Sequence, residues 1–238
     1  MTKHFITLIA AVGIIVTSQS TVLAANRACL EKDAVCKEFA ALSDSGQFDR
    51  IIHKVDTKAS YSDEAKALIG QAYLSIAGQE TNTPAQEEFF CLKALEYGAT
   101  SAYMGLYFIN ADKDLGKALT YLRQYIMTDP QDSVPYVILG EFEMGKENYE
   151  DANLYLRHAK SVARGSSSNL DWALFQVNYM IGDFAYASAM LDSVVSRGQF
   201  VAELKNLSAD PCYADIGIRP EFSKYAPLIK GTSAMAIN

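Results

Sequence analysis

The sequence predicts an all-α protein, a helical-repeat solenoid of about four to five antiparallel helix pairs with a C-terminal cap. Three observations carry this. Helix signals run almost unbroken from Cys29 to Lys205, and no strand-period segment of any length competes with them. Gly70, Gly105 and Gly140 stand 35 residues apart in both steps, each among bulky apolar neighbours. The helices are punctuated at short, regular intervals by turn residues, which suits antiparallel pairs. A small residue where two helices cross lets their backbones approach, and each pair leaves an apolar face for the next pair to cover.

The elements follow in order. Lys3, the apolar run Phe5 to Val16 and the small residues Val22-Leu23-Ala24 read as a secretory signal peptide over 1–24. The run is short for a membrane span of roughly 20 residues. A lipid anchor would need a cysteine directly after the small residues, and the nearest, Cys29, follows Asn-Arg-Ala. The repeat region then occupies 25–205. A degenerate first pair spans Val35 to Val55, with Phe39, Gly46 and Phe48. Around Gly70 stand Leu68, Ile69 and Tyr73, with Phe89 or Phe90 on the second helix. "TPAQ", Thr83 to Gln86, starts that helix with a capping threonine, a first-turn proline and a glutamine at the third position. Gly98 is suited to end it. Gly105 has Met104 and Phe108 beside it and Ala118, Leu122 and Tyr125 after it, and Asp129-Pro130 and Ser133 mark the next boundary. Gly140 has Tyr136 and Leu139 before it, and Tyr149, Ala152, Leu156, Ala159 and Ala163 form one stripe on the following helix. After "RGSSSN", Arg164 to Asn169, a fourth copy holds Trp172, Phe175, Tyr179, Gly182, Phe184, Ala187 and Leu191, with Gln176 in place of the crossing glycine. Residues 206–231 read as the cap, Phe222, Tyr225, Leu228 and Ile229 covering the last repeat, and 232–238 as a frayed tail.

Composition narrows the class. Half the residues are hydrophobic, so the chain folds. Loss of the leader removes Lys3 and moves the net charge from −7 to −8, and no basic run exists to meet phosphates, which excludes nucleic acid as a partner. Four cysteines in an exported chain permit disulfides. Cys29 and Cys36 on one continuous helix would lie about 10 Å apart, so they bond only if Cys29 sits in a non-helical segment folded back over the first turn. Cys91 lies on an apolar stripe and reads as a buried thiol, and Cys212, beside Pro211, as a loop residue.

"PYVILGEF" followed by "NYEDANLYLRHAK" resembles a tetratricopeptide unit, and "FFCLKALEYGATSAYMGLYF" resembles the junction of the related Sel-like repeats. The resemblance covers about Glu64 to Val195 and, more weakly, Val35 to Val55. Glu143 departs from it, standing where the family prefers a large aromatic, with Phe142 alongside. The resemblance implies a right-handed solenoid whose first helices line a concave face. Mapped here, that face includes Glu64, Ala67, Ala102 and Ala173, and its partner-binding positions are Gln71, Leu74, Leu106, Ile109, Asn110, Val137, Glu141, Met144, Val177 and Met180. Some members clamp a terminal carboxylate with lysine and asparagine. The matching positions hold Ala67, Gln71, Ala102, Leu106, Val137 and Glu141, so that clamp is not implied.

Catalytic chemistry has little to stand on. No nucleophile-elbow, zinc-helix or phosphate-loop pattern exists, and His53 and His158 have no partner at a useful spacing. We therefore expect no enzyme, metal or cofactor. The expected function is a periplasmic or secreted scaffold or adaptor that binds another protein or peptide in its concave groove. The alternative is an immunity or inhibitor protein that neutralises a toxin delivered to the periplasm. The two differ in that an inhibitor holds a single partner tightly and a scaffold holds several weakly.

Overall fold

The computed structural model describes residues 23–29, 31–165 and 167–229, and their regular structure is entirely helical. The expected leader lies outside the described residues except for 23 and 24, and the expected tail lies wholly outside them. No helix among the described residues is long and apolar enough to cross a membrane. The chain divides into two compact units, up to Pro130 and from Gln131.

The first unit begins with α1, residues 23–29. It continues with α2 (Ala34–Asp44), α3 (Phe48–Lys54), α4 (Asp63–Ala77), α5 (Pro84–Glu96), α6 (Ala102–Ala111) and α7 (Leu115–Thr128). Successive helices pack on one another: α4 on α5, α5 on α6, α6 on α7. Cys29 and Cys36 are bonded, with Cα atoms 5.1 Å apart. The pairing anticipated from the sequence is present, but its geometry differs. Cys29 is the last described residue of a helical segment, and the non-helical residues 31–33 make the fold-back. Asp33 then caps α2 by accepting from the Cys36 amide at 2.9 Å. Both sulfurs join a core with Phe39, Ile51, Leu68 and Ile69.

Local rules explain the helix ends. Thr83 and Gln86 form the full capping box at the start of α5, with Pro84 in the first turn. Gly98, at φ +80°, reverses the chain after α5. Its amide donates to Leu95 O at 2.9 Å and the Ala99 amide donates to Ala94 O at 3.0 Å, the paired closure of a Schellman turn.

The three spaced glycines all sit at helix crossings, though not equivalently. A Cβ on Gly70 would lie 2.9 Å from Ala99 Cβ, and one on Gly140 2.6 Å from Leu156 Cγ on the following helix. Gly105 instead faces backwards, toward Cys91 Sγ of α5 at 2.9 Å. Cys91 is buried there as a free thiol, and burial pushes its pKa up to about 12. We expect Gly140→Leu to lower stability by about 1–3 kcal/mol through overpacking. A urea midpoint that does not move would remove Gly140 from the crossing.

The second unit contains α8 (Val134–Gly145), α9 (Tyr149–Val162), α10 (Ser168–Met180), α11 (Phe184–Ser196) and α12 (Val201–Asn206). Short 3₁₀ turns follow from Leu207 to Tyr225, and α13 (Ala226–Ile229) closes it. A polar network ties three of these helices together. Asp171 of α10, its side chain fully buried, accepts from Lys160 of α9 at 2.5 Å and from Ser193 of α11 at 2.7 Å. Arg197, at the end of α11, adds a third donor at 2.8 Å. Burial pushes the Asp171 carboxyl up, but the bonds from Lys160, Ser193 and Arg197 outweigh it and hold the pKa below its ordinary value.

The C-terminal turns pack on α10 and α11 through aromatic rings. Phe222 lies edge-on to Phe175, 6.1 Å between centroids, and 5.5 Å from Tyr179. Phe222, Tyr225 and Ile229 are buried, as expected of a cap. Leu228 is not, being 37% exposed, because it lies on the outer side of a one-turn helix. Polar bonds fasten the same turns: the Tyr225 hydroxyl donates to Asp192, and Ser188 Oγ donates to Glu221 O at 2.9 Å.

Candidate functional site

The first unit carries an open groove of about 640 Å³ where one turn meets two helix ends. Ser62 caps α4 by accepting from the Ala65 amide, which fixes the first turns so that Asp63, Lys66, Ala67 and Gln71 form one wall. The Gly98 reversal brings Glu96, Tyr97, Thr100 and Ser101 to the second wall. Tyr125 and Asp129, at the end of α7, close the third side, the Asp129 amide donating to Tyr125 O at 2.9 Å.

Asp63 and Glu96 stay in solvent, and Asp129 is half-buried. Asp63 is paired with Lys66 at 3.3 Å and its side chain is 97% exposed. Glu96 is paired with Lys93 at 2.9 Å. Tyr97 is half-buried and stacks on Tyr73 at 5.8 Å, and burial raises the pKa of both phenols. The groove thus offers hydroxyls, carboxylates and an aromatic wall, the kinds of group that orient a polar chain segment. Among the described residues, no cluster of three or more histidine, cysteine or acidic side chains is placed to hold a metal.

The positions anticipated from the sequence are scattered. Gln71 lines the groove, and its amide also donates to Ser75 Oγ at 3.3 Å. Leu74 and Ile109 are half-buried against the core around Cys91, Ala94 and Ala102. Leu106 is fully buried in that core, and Asn110 is 5% exposed and donates to Leu106 O at 2.8 Å. Val137 and Met144 are half-buried beside Ala152 and Leu156, Val177 is fully buried with them, and Met180 packs under the C-terminal turns. Leu106 and Val177 thus lie inside the packed core, and Asn110 nearly so. Gly105 faces α5, so the residue after it is drawn into a helix interface.

Glu141 stands apart. It is half-buried on α8, and burial alone raises its pKa. A raised folded pKa means stability is lost as pH rises through that value, so the ionised side chain is a cost at neutral pH. Glu141→Gln should raise the urea midpoint at neutral pH, with the gain shrinking toward the ordinary glutamate pKa of about 4.3. A midpoint unchanged or lower at neutral pH would show that the charge has a partner.

Sequence reasoning missed most of the groove: Asp63, Lys66, Glu96, Tyr97, Thr100, Ser101, Tyr125 and Asp129. The signal available was Gly98, which marks a tight reversal and hence the residues carried on it. In comparisons with known proteins, no family model matches the chain and no curated protein matches it in sequence.

Proposed function

We propose that this chain is an exported helical-repeat scaffold that docks an envelope protein in the groove of its first unit. The observation that carries the reading is the groove itself: about 640 Å³, open, with polar and aromatic walls built on helix ends and the short turn at Gly98. A site on helix termini is held more firmly than one on a long loop, which lowers the entropy cost of capturing a flexible partner. The buried Cys29–Cys36 bond is compatible with an oxidising compartment. The consecutive helix pairs and the crossings at Gly70 and Gly140 support a repeat stack.

A photo-cross-linking residue tests this when placed at Ala67 in the groove and, separately, at Leu154, 68% exposed on α9. The docking reading expects one or a few discrete adducts from Ala67 in cells and none shared with Leu154. Adducts from Leu154 with none from Ala67 would move the working surface to the second unit. A single stoichiometric adduct from Ala67 would favour the inhibitor role over the scaffold.

A further inference from the structure

The start of α1 meets the end of α2 in a corner that holds unmet hydrogen-bonding groups. Asn26 Oδ1 and Ser43 Oγ are cut off from solvent and have no hydrogen-bond partner, and their residues are only 7% and 8% exposed. Orphaned buried polar atoms are costly, and native proteins supply them with a partner. The two belong to one corner. The Asn26 amide donates to Asp44 Oδ1 at 2.5 Å, and Asp44, next to Ser43, is the last residue of α2. The Cys29–Cys36 bond ties the other end of α1 near the start of α2. So α1 runs antiparallel along α2 and begins at its negative end, where a cation is favoured. An amide oxygen, a hydroxyl, a carboxylate and a helix C-terminus together suit a small cation with several donors.

Burial changes sharply at the same place. Leu23 is 61% exposed and Ala24 is exposed, whereas Ala25 is 7% exposed. That step falls at the bond where Val22-Leu23-Ala24 predict removal of the leader. Cleavage there adds water across the Ala24–Ala25 amide, leaving a carboxylate on the departing leader and an amine on Ala25. An α-amino group, with an ordinary pKa of about 8, keeps its proton at neutral pH and presents three N–H donors. In the uncut chain the same nitrogen is an amide with one hydrogen and no charge. Given the exported reading above, we propose that processing completes this corner: the new α-ammonium of Ala25 is bound by Asn26 Oδ1, Ser43 Oγ and the Asp44 carboxylate, which fastens α1 to α2.

The test uses protein released from a cleavable fusion so that it starts at Ala25 or, one residue longer, at Ala24. The longer form moves the ammonium outward and leaves an amide at Ala25. Its opening equilibrium constant, read by hydrogen exchange in α2, should be roughly tenfold larger, as for loss of one charge-assisted hydrogen bond. Ser43→Ala should loosen the Ala25 form and change the Ala24 form little, so the two changes should not add. Asp44→Asn, which keeps an oxygen for the Asn26 amide and removes the charge, should behave likewise. Equal opening in the two forms would overturn the proposal, since water would then serve both orphans. Additive losses would overturn it too. An exported protein whose mass shows a start other than Ala25 would also overturn it, and would leave the docking role of the groove standing.

Discussion

Asp171→Ala should destabilise the second unit by about 3 kcal/mol, the low end for breaking a buried ion pair. The low end applies because Lys160 and Arg197, the cations left behind, remain 31% and 28% exposed and recover part of their hydration. The variant also orphans the Ser193 hydroxyl, which donates to the carboxylate at 2.7 Å. Acid titration gives a second readout. The folded pKa of Asp171 is lowered, so its contribution is fully present above the unfolded value of about 3.9 and is lost as pH falls through the folded one. The wild-type stability curve should therefore fall in that acid window, and the variant's should be flatter there. Parallel acid limbs would mean that the three donors do not favour the charged form.

Phe222→Ala should cost about 3–5 kcal/mol, the range for emptying a buried aromatic site. Phe222 is fully buried and meets Phe175, Tyr179 and Phe184 at once, with centroids 5.5–6.4 Å away. Tyr213 also stacks on Phe175 at 5.9 Å, so the loss should spread through the cluster. Chemical denaturation measures the effect, and limited tryptic proteolysis after Lys224 reports whether the turns detach. A loss below about 1 kcal/mol would show that the site collapses around the smaller residue.

Short-range chemistry was legible in the sequence, and longer-range geometry was not. Thr83, Pro84, Gln86 and Gly98 act within a few residues of one another, and the capping box and reversal form as their types predict. The Cys29–Cys36 pairing was readable as a possibility because its seven-residue separation left one requirement, a break in the helix. The spacing of Gly70, Gly105 and Gly140 located crossings but not the neighbour that each faces. That choice depends on helix rotation, which a one-residue phase error turns by about 100°. Leu106, the residue after Gly105, is buried in the core around Cys91 on this account. The groove eluded the pattern because Tyr97, Thr100 and Ser101 lie on a turn with no apolar period, Glu96 ends the helix before it, and Asp129 joins them only through folding. Of the phenylalanines at 89 and 90, periodicity admitted both, and the structure packs Phe90 and leaves Phe89 52% exposed.

Within each unit most of the longer helices pack chiefly on a helix next to them in sequence, which has a kinetic consequence. Contacts between near neighbours close short loops, which lose little chain entropy before the first attraction is gained. Chains of low contact order cross their folding barrier quickly. The Cys29 and Cys36 thiols lie within the same local stretch, so their encounter awaits no distant segment. Within each unit, opening should proceed by local steps, with hydrogen exchange fastest at terminal helices and slowest where a helix has packed neighbours on both sides, as α5 and α6 do.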